Sequence, residues 1–230
     1  MTAPVQTLRF ADAGEAADLA AFLGRLIHYD RAAAVRLQGL GGALAVFGRP
    51  PSFEVLAVRA VRLDADASGP GGDAAVFDRT VSAGELLEGI GDEREFGVPQ
   101  AVTGPPWAGV LPPRGGWQEV AGLPGADDMR AAVAAAVSEF RARDEALPDE
   151  RRTRAERDLI GREIWSRELG STGLPLRAVH AAQSLGFLRP GVPVALLGAG
   201  SWLRLRTPFG SVALRTAGIG DARRLGLTPV

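Results

Sequence analysis

The chain has 230 residues, 46% of them apolar and 23% charged, proportions that let a globular core form without disulfides or a structural metal. It has no cysteine, and all 26 of its Lys-or-Arg positions are Arg. Thiol nucleophiles, thiolate zinc or iron–sulfur sites, Schiff-base lysines and the lysine of a phosphate-binding P-loop are therefore excluded. Net charge is −1, yet residues 1–150 hold 13 Arg against 22 acidic side chains and residues 151–230 hold 13 against 5.

Such asymmetry has two readings. A basic half can neutralise phosphates and bind nucleic acid. Equally, an acidic and a basic lobe can face one another or the opposite lobe of a partner. Met1 to Arg9 contain no signal-peptide core, and the apolar runs around Val133 and Val194 fall far short of the roughly 20 residues that span a membrane. A cytoplasmic protein without cofactor and without membrane contact is expected.

Asp12 and Glu15 have capping-box spacing, and Leu19, Phe22, Leu23, Leu26 and Ile27 then recur on one face of a helix. Strand patterns follow at Val35–Gln38, Ala43–Phe47 and Phe53–Leu63, with Gly39, Gly41, Gly42, Pro50 and Pro51 supplying the turns. After a Gly-rich break at 68–73, a fourth strand is predicted over 74–81. A short helix capped by Ser82 with Glu85 then runs to near Ile90. Residues 97–117 hold five prolines, five glycines, Trp107 and Trp117, and read as an extended strap.

A helix with Asp127 and Asp128 at its positive end and Arg141 and Arg143 at its negative end places Met129, Val133, Val137 and Phe140 on one face. A second is predicted from Asp149 to Leu169, with i, i+4 pairs Glu150–Arg154, Asp158–Arg162 and Glu163–Arg167. A third over Leu176–Leu188 precedes strands at 192–197, 202–206 and 211–215. The two meanders align: Val35, Leu37, Gly39, Gly41, Leu44 and Val46 fall over Val194, Leu196, Gly198, Gly200, Leu203 and Leu205. After a three-residue deletion, Phe53, Leu56, Ala57, Val58 and Arg59 fall over Phe209, Val212, Ala213, Leu214 and Arg215. Chance matching of short apolar strands competes with duplication as the explanation.

Asp64, Asp66, Ser68 and Gly69 open like a calcium loop, but Ala75 stands where the closing bidentate Glu belongs. The helix at 176–188 before a strand pair suggests a winged helix with Arg177, His180, Gln183 and Ser184 as contacts, although no short second helix fits between Gly170 and Pro175. The strap offers Trp107, Arg114 and Trp117 either as anchors for a partner or as pins to the protein's own core. Only His28 and His180 supply imidazole, and the carboxylates Glu85, Glu88, Asp92, Glu93 and Glu95 read as a solvated helix end.

These readings combine into an α+β fold of two lobes, each a helix on a small antiparallel meander. An acidic lobe spans 1–96, the strap 97–126, and a helical pair with a basic lobe 127–230. The expected function is noncatalytic protein interaction, including self-association. The interaction residues would be Trp107, Arg114, Trp117, Arg177, His180, Gln183, Arg223 and Arg224. A nucleic-acid-binding regulator using residues 151–230 is the alternative. A metal-dependent enzyme or calcium protein using Asp64, Asp66 and Ser68 is the second.

Overall fold

The computed structural model describes residues 6–40, 42–64, 77–91 and 94–216. The chain is α+β and divides into two compact units, residues 1–112 with 209–211, and residues 113–208 with 212–230. The division falls inside the Pro/Gly-rich segment. It also redistributes the charge: the first unit holds 9 Arg against 14 acidic residues and the second 17 against 13. The opposition of the units, −5 to +4, is milder than that of the sequence halves.

In the first unit β1 (Thr7–Arg9) pairs antiparallel with β6 (Glu95–Gly97). Phe10 and Phe96 stack beside this small sheet at 4.5 Å. Helix α1 (Ala13–Tyr29) starts where predicted, with Asp12 accepting from the Glu15 N–H at 3.0 Å, and buries Leu19, Phe22, Leu23 and Leu26. Strands β2 (Ala34–Leu40), β3 (Ala43–Gly48) and β4 (Leu56–Arg62) form the predicted meander, and β5 (Phe77–Ser82) joins β2 to give the order β5-β2-β3-β4. Val35, Leu37, Leu44, Val46 and Val81 are sealed from solvent on one face. There α1 approaches closely enough that a Cβ at Gly48 would collide with Leu26. Helix α2 (Ala83–Glu88) takes its cap from Ser82, whose hydroxyl accepts from the Glu85 N–H.

The second unit packs α3 (Ala126–Glu145), α4 (Arg154–Ser166) and α5 (Leu176–Ser184) on one another, with α5 against the sheet. Its strands are β7 (Gln118–Glu119), β8 (Ala195–Ala199), β9 (Trp202–Thr207) and β10 (Gly210–Arg215), in the order β10-β9-β8-β7. Gly210 and Ser211 of β10 are assigned to the first unit, and Val212–Arg215 to the second.

The duplication alignment holds for the first two strands of each meander. Leu37 faces Val46 and Leu40 faces Ala43 in one unit; Leu196 faces Leu205 and Ala199 faces Trp202 in the other. All four offsets are the same 159 positions read from the sequence. The third strand departs from it. The Leu63 N–H donates to the Gly42 carbonyl at 2.8 Å and the Thr216 N–H to that of Ser201 at 2.8 Å, so Arg215 corresponds to Arg62 and not to Arg59. A deletion three residues longer at the turn produces this shift. Its physical origin is the segment Pro50 to Val55, where Phe53 N–H closes a turn on Pro50 and Glu54 adopts φ +53°, delaying β4 to Leu56.

Other departures are local. The helix predicted from Asp149 begins five residues later, because Thr153 accepts from Glu156 N–H and caps it, while Asp149–Arg151 form a 3₁₀ turn. Glu150 thus lies outside the helix and cannot pair along it with Arg154, which instead meets Asp158 at 3.8 Å. Arg162 donates to the Asp158 carbonyl oxygen, and only Glu163–Arg167 forms as predicted, at 3.1 Å. Helix α5 stops at Ser184 because Gly186, at φ +75°, turns the chain so that Phe187 and Leu188 N–H groups close on Ala182.

Candidate functional site

The first half of the Pro/Gly-rich segment is tied to the first unit. Val98 N–H donates to Gln6, Val102 N–H to Thr80 of β5 at 2.9 Å, and Arg36 of β2 donates to the Ala108 carbonyl. Arg36 is itself held by a bidentate pair with Asp78 at 2.6 Å, which raises its pKa, and Gln38 adds a bond to the same carboxylate. These bonds fix an extended stretch that has no regular ladder of its own. A 3₁₀ turn at Pro106–Gly109 then sets Trp107 half-buried at its bend.

Pinning the segment in this way leaves an open groove of about 760 Å³ lined by Asp30, Arg49, Pro51, Ser82, Val102 and Trp107, among others. Its walls are mixed. Asp30 is fixed by its own turn, accepting from Ala32 N–H at 2.9 Å, and Arg49 is exposed. Exposed large apolar side chains gather nearby: Val102 in the wall, Tyr29 beside Asp30, and Val110 farther along the segment.

The first unit also holds an ionic cluster. Arg59 of β4, with its side chain 8% exposed, donates to Glu15 at 3.2 Å, Asp18 at 3.0 Å and the Phe209 carbonyl at 2.7 Å. Arg62 adds a 2.8 Å bond to Glu15 and a 3.0 Å bond to Asp12, and its pKa is raised by them. Every charge in it has a partner, which is the arrangement that holds the start of α1 to the sheet.

In the second unit the helices neutralise themselves. Glu163 accepts from Arg143 and Arg167, which hold its pKa down to about 2, and Glu139 accepts from Arg167 and Arg143 and is likewise depressed. Arg157 bonds Asp144 at 2.7 Å and Arg151 bonds Glu156 at 2.7 Å. Arg157 and Arg167 of the basic half are thereby paired with Asp144 and Glu139 of the acidic half inside the helical layer.

The sheet is different. Along β9, Leu205 and Thr207 are buried toward the helices, whereas Trp202 and Arg204 are half-buried and Arg206 is exposed on the other face. Trp117, just before β7, lies under the Arg204 guanidinium at 5.7 Å from its ring centre, and its indole N–H donates to the Pro113 carbonyl at 3.0 Å. Burial and the neighbouring Arg206 lower the pKa of Arg204.

The predicted site residues thus separate. Trp107 lines the groove; Arg114 is exposed and Trp117 half-buried in the second unit. Arg177, His180 and Gln183 share a flank of α5, whose other positions are mostly buried. His180 stacks on Trp165 at 4.5 Å, and burial lowers its pKa. Asp64 lies 3.7 Å from Arg9, while Asp66, Ser68, Arg223 and Arg224 lie outside the described residues, as do Asp92 and Glu93 of the acidic run. Among the described residues no group of three His, Asp or Glu side chains is placed to hold a metal, and no helix is long and apolar enough to cross a membrane.

Sequence reading missed Trp202, Arg204 and Arg206, although their signal was present: alternation with Leu203, Leu205 and Thr207 puts all three on one side of a strand. It also missed Asp30, Arg49 and Val102, which a tertiary groove assembles from three separate segments.

No curated protein matches the chain. Its two structural units correspond to two adjacent family models: residues 3–109 match a domain of unknown function, DUF8010, and residues 112–219 match another, DUF8185.

Proposed function

We propose that this is a noncatalytic interaction protein of the cytoplasm, with the groove of the first unit as its docking site for protein. The observation that carries this reading is the groove itself. It is a pre-formed concavity lined by Trp107, Val102 and prolines, with Asp30 and Arg49 as opposite charges in the same lining. Aromatic side chains set in a wall with a few charged groups are the usual composition of interface cores and rims. The bond donated by Arg36 and those accepted by the Thr80 and Gln6 carbonyls hold the wall in place before any partner arrives, which lowers the entropy lost on binding.

A second copy or another polypeptide fits the same chemistry, and two measurements divide the cases. Sedimentation of the full chain over a range of concentrations tests self-association. Selection of displayed random peptides against it tests heterologous docking. Concentration-dependent mass that Trp107→Ala and Arg49→Glu abolish supports a homodimer. Selected peptides that lose binding to the same variants support a separate partner. A monomer that enriches no such peptide overturns the reading.

A further inference from the structure

We infer that the open face of the β10-β9-β8-β7 sheet binds single-stranded nucleic acid, independently of what occupies the groove. In antiparallel pairs, directly opposed residues share a face. Leu197 stands opposite Arg204, Glu119 opposite Leu197, and Ala195 opposite Arg206. The bond from Thr216 N–H to Ser201 sets Arg215 opposite Trp202. The face away from the helices therefore carries Trp202, Arg204, Arg206 and Arg215 on small or apolar ground, with Trp117 at its β7 edge.

Charge and shape both point to this ligand class. Arg204 and Arg206 are two residues apart on one strand, roughly 6 to 7 Å along it, and burial first and Arg206 second disfavour the charge of Arg204. Glu119 is the one carboxylate that the register places among these positions. The carboxylates Glu139, Asp144, Glu156 and Glu163 are engaged with Arg residues in the helical layer and its flanking turns. A phosphate chain presents negative charge at regular intervals to the exposed Arg206 and Arg215. The two indoles supply π surfaces for the bases, and Trp117 is already fixed by its bond to Pro113. Stacking on a sheet needs base faces that a duplex keeps inside, which selects the single strand.

The test is fluorescence anisotropy of a labelled oligothymidine of roughly 15 nucleotides with the full chain, at about 50 and 200 mM salt. Binding in the micromolar range or tighter is expected at the lower salt, weakening as salt rises. Arg206→Glu and Arg215→Glu should each weaken it about tenfold and flatten the log–log salt slope by about 0.7. Trp202→Ala should weaken it by a factor on the order of 5 to 100. Arg154→Glu on α4, whose side chain is 94% exposed, should stay within about twofold of the parent. If Trp202→Ala fails to fold, the two exposed-arginine variants decide the question. Absence of binding at the lower salt overturns the inference. So does equal or tighter binding of the matching duplex, or an Arg154→Glu loss as large as that of Arg206→Glu.

Discussion

Replacing Arg59 by Met keeps the buried aliphatic stem and removes only the guanidinium, so its effect can be worked from the contacts. Asp18, with a side chain 36% exposed, regains water and contributes little. Glu15 loses one charge-assisted bond but keeps Arg62 at 2.8 Å, and the Phe209 carbonyl loses its 2.7 Å donor. A hydrogen bond to a buried charged group contributes about 1.5–3 kcal/mol and an abandoned carbonyl costs about 1–2, giving roughly 3–4 kcal/mol in all. At this chain length that lowers Tm by roughly 10 °C, readable by circular dichroism on the full chain. The Arg59→Met, Glu15→Met double variant should be more stable than Arg59→Met alone, because no half-paired carboxylate stays buried. A single-variant shift below about 2 °C, or a double variant whose loss is the sum of the two singles, would refute the cluster's role.

Three further outcomes follow from the same structure. His180 has its pKa lowered by burial from 6.5, so the unfolded chain takes up a proton first as pH falls; stability should decline below about pH 6.5, and His180→Gln should flatten that decline in pH-dependent urea melts. Glu163 is held near 2 against an ordinary 4.5, so its contribution is complete above pH 4.5 and is lost between there and about pH 2. Glu163→Gln should reduce the acid sensitivity in that window and leave the His180 window untouched. Gly48→Ala should drive its methyl into Leu26, which is 2% exposed and cannot swing clear, lowering stability by about 1–3 kcal/mol in a urea titration.

The elements with a local cause were legible in the sequence. Asp12 and Ser82 cap their helices as read, and the apolar positions in the first two strands of each meander fall into register with the predicted offset, while the third strand does not. What escaped was nonlocal or too short to have a period. Strands of three and two residues, β1, β6 and β7, depend on partners tens of residues away. The start of α4 turned on Thr153, a better cap than Asp149 because its hydroxyl reaches Glu156 N–H. The site was legible only in part. Trp107 and Trp117 were singled out for their side chains, but the strand face beside Trp117 emerges only when pairing shows which arginines stand together. Charge counting by halves likewise could not register that the helices satisfy most of their own arginines.

The return of residues 209–211 to the first unit bears on how the protein can be cut. A fragment ending near Pro112 would contain every strand from β1 to β6 and the whole match to the first family model, yet it would lack the Phe209 carbonyl that receives Arg59. Its guanidinium would be left short of an acceptor inside otherwise intact packing. Expressing the two halves separately is therefore not a neutral dissection: the amino-terminal piece begins life with the defect that mutagenesis would otherwise have to create, and chain continuity across the boundary is part of what makes that unit whole.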